Sequence, residues 1–138
     1  MSVVLPPYAE GLRIVVAGQE NGAPLLAVDF SRRVMGRPGF IHGGALSGLM
    51  EMAGFAALRA ELARRGEGER KLKPVNIAVE FMRGGTEQRT FARGRIVRAG
   101  RRIAVVDCEA WQDDRSKPIA LAQLKIALMP SAAEREAG

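Results

Sequence analysis

Glu51 is the only charged residue between Gly43 and Leu58, in a stretch otherwise made mostly of apolar and small residues. A carboxylate carried into such surroundings is costly to bury, so it must be ion-paired, protonated, or set in a cavity that uses it. One reading puts it on a polar notch of a helix, above Ser47 on the same face, paired with an arginine. The other makes it the working carboxylate of a cleft. Just upstream stands His42-Gly43-Gly44. If this tripeptide opens the helix, its unpaired backbone N–H groups lie at the positive end of the dipole, and two glycines let an oxygen approach with no Cβ in the way. A polarised carbonyl or an oxyanion is the natural guest of such donors. The plainer reading is a glycine-rich turn with a structural histidine. A lone acid further along the same helix tips the balance towards chemistry.

On one helix Gly43 and Glu51 are separated by about 12 Å of rise. A single carbonyl cannot touch both. A shared reaction therefore requires the Gly43 end of one subunit to meet Glu51 of another, with two helices running antiparallel across a dimer axis.

The elements that must position these groups are legible in outline. From Gly43 to about Arg64, Leu46, Leu49, Met50, Ala53, Ala57 and Ala60 recur at helical spacing. Ala45, Gly48, Met52, Gly54 and Phe55 leave the other faces apolar or small as well, so protein should cover this helix on most sides. Ahead of it lie a short helical turn near Pro7-Tyr8-Ala9-Glu10 and two strands, Leu12 to Ala17 and Leu25 to Ser31, with Asn21-Gly22 as a turn between them. Behind it the chain reads as four consecutive strands, Val75 to Arg83, Arg89 to Arg98, Arg102 to Gln112 and Pro118 to Met129, at a spacing that suits hairpins. Val75, Ile77, Val79 and Phe81 alternate with Asn76, Ala78, Glu80 and Met82, which predicts one face on a core and one partly solvated. Ala104, Val106, Cys108 and Ala110 form a second, small apolar face. A long antiparallel sheet with small residues inside and one buried helix predicts an α+β fold in which five to six strands curl around the helix.

The chain of 138 residues suffices for one domain, assigned to residues 1–130, with a loosely attached tail at 131–138. Apolar residues at 47% and charged residues at 26% exclude a disordered or fibrous chain. One cysteine and one histidine cannot assemble an internal disulfide or a Cys/His zinc site, so no metal is expected. Two prolines interrupt the apolar start Met1-Ser2-Val3-Val4-Leu5-Pro6-Pro7, which lacks a basic region; a cytoplasmic location is the expectation. The stretch from Gly43 to Leu58 spans roughly 24 Å, short of a bilayer helix, and no membrane partner is expected. Ser47 lies outside any Gly-x-Ser-x-Gly elbow, and neither a P-loop nor a GxGxxG occurs.

The run Gly39-Phe40-Ile41-His42-Gly43-Gly44-Ala45-Leu46-Ser47-Gly48-Leu49-Met50-Glu51 resembles the signature of the hotdog-fold acyl-CoA thioesterases of the phenylacetate-degradation (PaaI-like) group. There an HGG precedes a hydrophobic helix bearing Asp or Glu nine positions after the histidine. Val75 to Arg83 is similar to the family's strand after the helix, and Gly100-Arg101-Arg102 to its hairpin turn, so the resemblance covers residues 12 to 129. It implies hydrolysis of an acyl-CoA thioester at the interface of a homodimer, two such dimers pairing, with no cofactor beyond the coenzyme A of the substrate. Gly43 would polarise the carbonyl, Glu51 of the neighbouring chain would act as nucleophile or as general base on water, and His42 would help hold the thioester or leaving group. Gly44 and Phe55 would contribute to substrate binding, Phe55 as lining of an apolar acyl pocket. The chain departs from the pattern at Gly36, where the family often has Asn or Gln, and at Phe55, where several members carry Ser or Thr.

The net charge is +6, and arginines cluster at Arg32-Arg33, Arg37, Arg64-Arg65-Arg70, Arg83 and Arg98-Arg101-Arg102. Guanidinium groups suit the pyrophosphate and 3′-phosphate of coenzyme A, and Arg83, Arg101 and Arg102 are assigned to it. The basic segments carry no interleaved aromatics, so nucleic acid is not an expected partner. Two alternatives stay open beside the hydrolase: a non-catalytic hotdog module that binds acyl-CoA or only dimerises, and a dehydratase acting on 3-hydroxyacyl thioesters.

Overall fold

A computed structural model describes residues 3–137; Met1, Ser2 and Gly138, the ends of the N-terminal run and of the tail, lie outside the described residues. The elements follow in the order α1 (Pro7–Leu12), β1 (Val15–Glu20), β2 (Ala23–Val28), α2 (Gly43–Arg64), β3 (Leu72–Phe81), β4 (Thr90–Ala99), β5 (Ile103–Trp111), β6 (Ala120–Leu128) and α3 (Ala132–Ala137). The six strands form one antiparallel sheet of order β1-β2-β4-β5-β6-β3, curled around α2. The α+β wrap expected from the sequence is the architecture observed.

Local rules account for the elements. The helix α2 runs from Gly43 to Arg64, as its periodicity predicts. Asn21 and Gly22, at φ 50° and 79°, supply the two left-handed residues that a tight hairpin between β1 and β2 needs. Leu12, expected to open the first strand, instead ends α1, where Arg13 at φ 60° turns the chain. The tail folds as α3, none of whose residues is buried.

Small residues let the sheet close on the helix. A Cβ on Gly94 of β4 would stand 2.9 Å from the Ala53 carbonyl oxygen and from Gly54 Cα of α2, and one on Gly54 would stand 2.9 Å from Cys108 Sγ. Ala104, Val106, Cys108 and Ala110 are all buried on the helix side of β5, as their alternation predicts. Burial pushes the Cys108 thiol up to about 12, the Asp107 charge adding to the effect, so it is an inert core group.

The hairpin expectation holds for β4–β5 and β5–β6 and fails for β3. That strand pairs with β6 at the edge of the sheet, not with β4, which follows it. Its expected core face is also largely absent: Val75, Ile77 and Phe81 are exposed, and only Leu72 and Val79 pack against the core. A register shift between Pro74 and Asn76 falls at Val75, and α2 sits chiefly over β2, β4 and β5, leaving the β3 edge uncovered. Period-2 patterning marks a strand without saying which neighbour it finds. Among the described residues no helix is long and apolar enough to cross a membrane.

Candidate active site

His42 is the N-cap of α2. Its Nδ1 accepts the Gly44 N–H at 2.8 Å, and its carbonyl oxygen accepts the Leu46 N–H at 3.1 Å. With Nδ1 an acceptor, a neutral ring carries its proton on Nε2, a donor with no partner among the described residues, and the residue as a whole is exposed. The turn before the helix is pinned by the His42 N–H on the Val34 carbonyl (2.7 Å) and the Ile41 N–H on the Gly85 carbonyl (2.9 Å). The Gly43 N–H has no hydrogen-bond partner among the described residues. Gly44 serves the cap instead: its own amide is spent on His42, so of the two glycines only Gly43 offers a free donor.

Phe81, a residue not singled out for the site from sequence, covers this corner. A Cβ on Gly43 would lie 3.1 Å from Phe81 Cζ, so the absence of a side chain there is what admits the ring. Nothing local in the sequence signals the contact, because the two residues come from α2 and the far edge strand. Gly36 packs beside His42, with a hypothetical Cβ 3.2 Å from His42 Cα.

Between Ala45 and Leu58 every residue of α2 is buried except Ser47, Glu51 and Phe55, which with Gly43 form a single stripe of four-residue spacing. Ser47 Oγ donates to the Gly43 carbonyl at 2.9 Å. Glu51 is half-buried, yet it makes neither a hydrogen bond nor an ion pair with any described residue. The arginine-paired notch is therefore not the arrangement found. Glu51 and Phe55 open together into a groove of about 1020 Å³, whose walls include Met52, Ala56, Pro24 and Leu72 and residues 3–7 of the N-terminal segment.

The chain thus brings Glu51 and Phe55 together, and separately His42, Gly43 and Gly44, with the same helix holding the two groups apart. Arg83 falls at the Gly43 end, its N–H on the Ile119 carbonyl, and its side chain is exposed. Arg101 and Arg102 sit at the other end, in the β4–β5 turn, where the Arg101 carbonyl accepts from Arg70. One protomer does not gather these three arginines. Arg70, grouped with the phosphate-binding clusters from sequence, is only 4% exposed and donates to the carbonyls of Met129, Leu128 and Arg101 and to Glu67. It is a structural clamp. Arg64 and Arg65 share Glu61, whose carboxyl is held below the usual range first by the Arg64 hydrogen bond and then by Arg65.

One long helix wrapped by a curled six-stranded antiparallel sheet defines the hotdog architecture. The sequence profile of the thioesterase superfamily matches residues 38–119, which contain the HGG turn, all of α2 and strands β3 to β5. The chain belongs to the thioesterase superfamily and is a thioester hydrolase by class. Solved structures similar to it include a protein of Chromobacterium violaceum (32% identity, 91% of this chain and 85% of that one, TM-score 0.72). A conserved protein of Pseudomonas aeruginosa is similar at 23% identity, over 91% of this chain and 95% of that one, with a TM-score of 0.80. The PaaI protein of the Escherichia coli phenylacetic acid degradation operon is similar at 18% identity, over 91% and 86%, with a TM-score of 0.76. A comparison with curated proteins gave no match.

Proposed function

We propose that the protein hydrolyses an acyl-CoA thioester as a homodimer, in a site built from the Gly43 end of one α2 and Glu51 of its partner. The observation that carries this reading is the pair of unsatisfied groups on one helix: a free amide at Gly43 and a half-buried, unpaired carboxylate at Glu51, about 12 Å further along. The uncovered β3 edge, with Val75, Ile77 and Phe81 exposed, supports a join between two copies. Antiparallel pairing of two such edges extends the sheet across the dimer and runs the two α2 helices in opposite directions. It also draws the Arg83 end of one protomer towards the Arg101–Arg102 turn of the other, where three exposed guanidinium groups suit the phosphates of coenzyme A. A further pairing of dimers belongs to the same reading.

In the reaction the Gly43 N–H polarises the thioester carbonyl and stabilises the oxyanion that develops on it. Glu51 of the partner takes a proton from water as the water oxygen bonds to the carbonyl carbon; collapse of the adduct breaks the C–S bond and the sulfur leaves as thiolate, reprotonated to free CoA. Direct attack by the carboxylate gives the same products through an anhydride that water then opens. His42, the residue before Gly43, would help hold the thioester or the departing sulfur through its Nε2–H. No metal or cofactor enters. Gly36 beside His42 adds no side chain to orient the water, so that task falls on Glu51.

Release of free thiol from a panel of short, long and aryl acyl-CoAs, run with wild type and Glu51→Gln, tests the proposal. The expected loss in kcat is at least about a hundredfold, with the melting temperature and the dimer mass by light scattering preserved. Undiminished turnover in Glu51→Gln, or a fully active monomer, would overturn it.

A further inference from the structure

Resting on the hydrolase reading for where the carbonyl sits, we propose that residues 3–7 are the outer wall of an acyl-chain groove and select thioesters with a medium to long aliphatic chain. The groove of about 1020 Å³ that holds Glu51 follows α2 as far as Arg64, and this N-terminal strap lines it. That reach corresponds to about 20 Å of helix. Its surface beyond Glu51 is supplied mainly by apolar and small side chains such as Met52, Phe55 and Ala56. Arg59 and Arg64 line its far end, where both donate to main-chain carbonyls, so neither is a bare charge.

The strap is held at its root. Ala9 is fully buried, its N–H on the Pro6 carbonyl at 2.9 Å, and Leu5 packs against the core. Tyr8 lies so close to Gly48, one turn before Glu51, that its phenolic oxygen leaves no room for a Cβ there, so α1 is keyed to the helix beside the carboxylate. Pro6, at φ −70° and ψ 163°, sends the chain out extended. Val4 is then left 89% exposed although it lines the groove. An apolar side chain held there without apolar company gains by covering a ligand's methylenes. Glu51 and the strap line one groove whose walls are mainly apolar, and such a lining fits an alkyl chain.

Calorimetric titration of the full chain with non-hydrolysable S-butyl-, S-octyl- and S-dodecyl-CoA thioethers tests the assignment. Affinity is expected to rise roughly threefold per added methylene until the groove is filled. In Val4→Asp the octyl-to-butyl affinity ratio should fall at least tenfold, and in Leu5→Ala it should fall by a smaller factor. Equal ratios in wild type and Val4→Asp overturn the proposal. So does a Val4→Asp protein that dissociates to monomers yet keeps the wild-type ratio, which would assign the strap to the contact between copies. Absence of thiol release from octanoyl-CoA beside normal thioether binding would sink the hydrolase reading while leaving the groove in place.

Discussion

The two ends of α2 are both rich in polar groups, and they differ in what those groups are doing. At the C-terminal end Arg59 donates to the carbonyls of Gly68 and Arg70, Arg64 to Gly22 and Glu61, Arg65 to Ala99 and Glu61, and the buried Arg70 to the carbonyls around β6. At the N-terminal end His42 caps Gly44 and stops there, leaving the Gly43 N–H without an acceptor, and a little over two turns on Glu51 faces a groove with no partner among the described residues. Charge density is higher where the structure is merely tied together. The candidate site is marked by polar groups that folding leaves unsatisfied, since a group already bonded has little left to offer a substrate.

Substitutions at the two ends should separate stability from activity. The largest effect on folding is expected at Arg70→Ala, which strips donors from three main-chain carbonyls; a loss of about 3 kcal/mol should lower the melting temperature by about 10 °C in thermal denaturation. Activity per folded molecule should hold. At the opposite end, Glu51→Gln should reverse that pattern, with stability kept and turnover lost. His42→Ala sharpens the contrast because it touches both properties: removing the cap should cost about 1 kcal/mol in chemical denaturation, alongside a fall in kcat/KM. Arg101→Ala and Arg102→Ala remove exposed side chains, so stability should change by less than about 0.5 kcal/mol. If these side chains hold the phosphates, kcat/KM for a CoA thioester should fall several times more than for the matching pantetheine thioester. The smallest effect belongs to Cys108. With its thiol raised to about 12, the folded protein should resist maleimide at neutral pH and label only on unfolding. The unfolded thiol ionises from about 9, so this group lowers stability only as pH climbs from there towards 12.

Much of this arrangement could be read from the chain alone, because its causes are local. The helix from Gly43 to Arg64 follows from apolar spacing and a histidine–glycine start, the first hairpin from Asn21-Gly22, and the small face of β5 from alternation. Glu51 was conspicuous for the same reason: one charge in an apolar run violates the pattern around it. Tertiary structure decided what depends on partners distant in sequence. It sent β3 to β6 instead of β4, spent Arg70 on carbonyls dozens of residues away, laid Phe81 over Gly43, and brought the N-terminal segment against the groove beside Glu51. Periodicity reports which face of an element is apolar, whereas hydrogen-bond partners and groove walls depend on where the chain returns. That is set by the closing of the whole sheet around its helix.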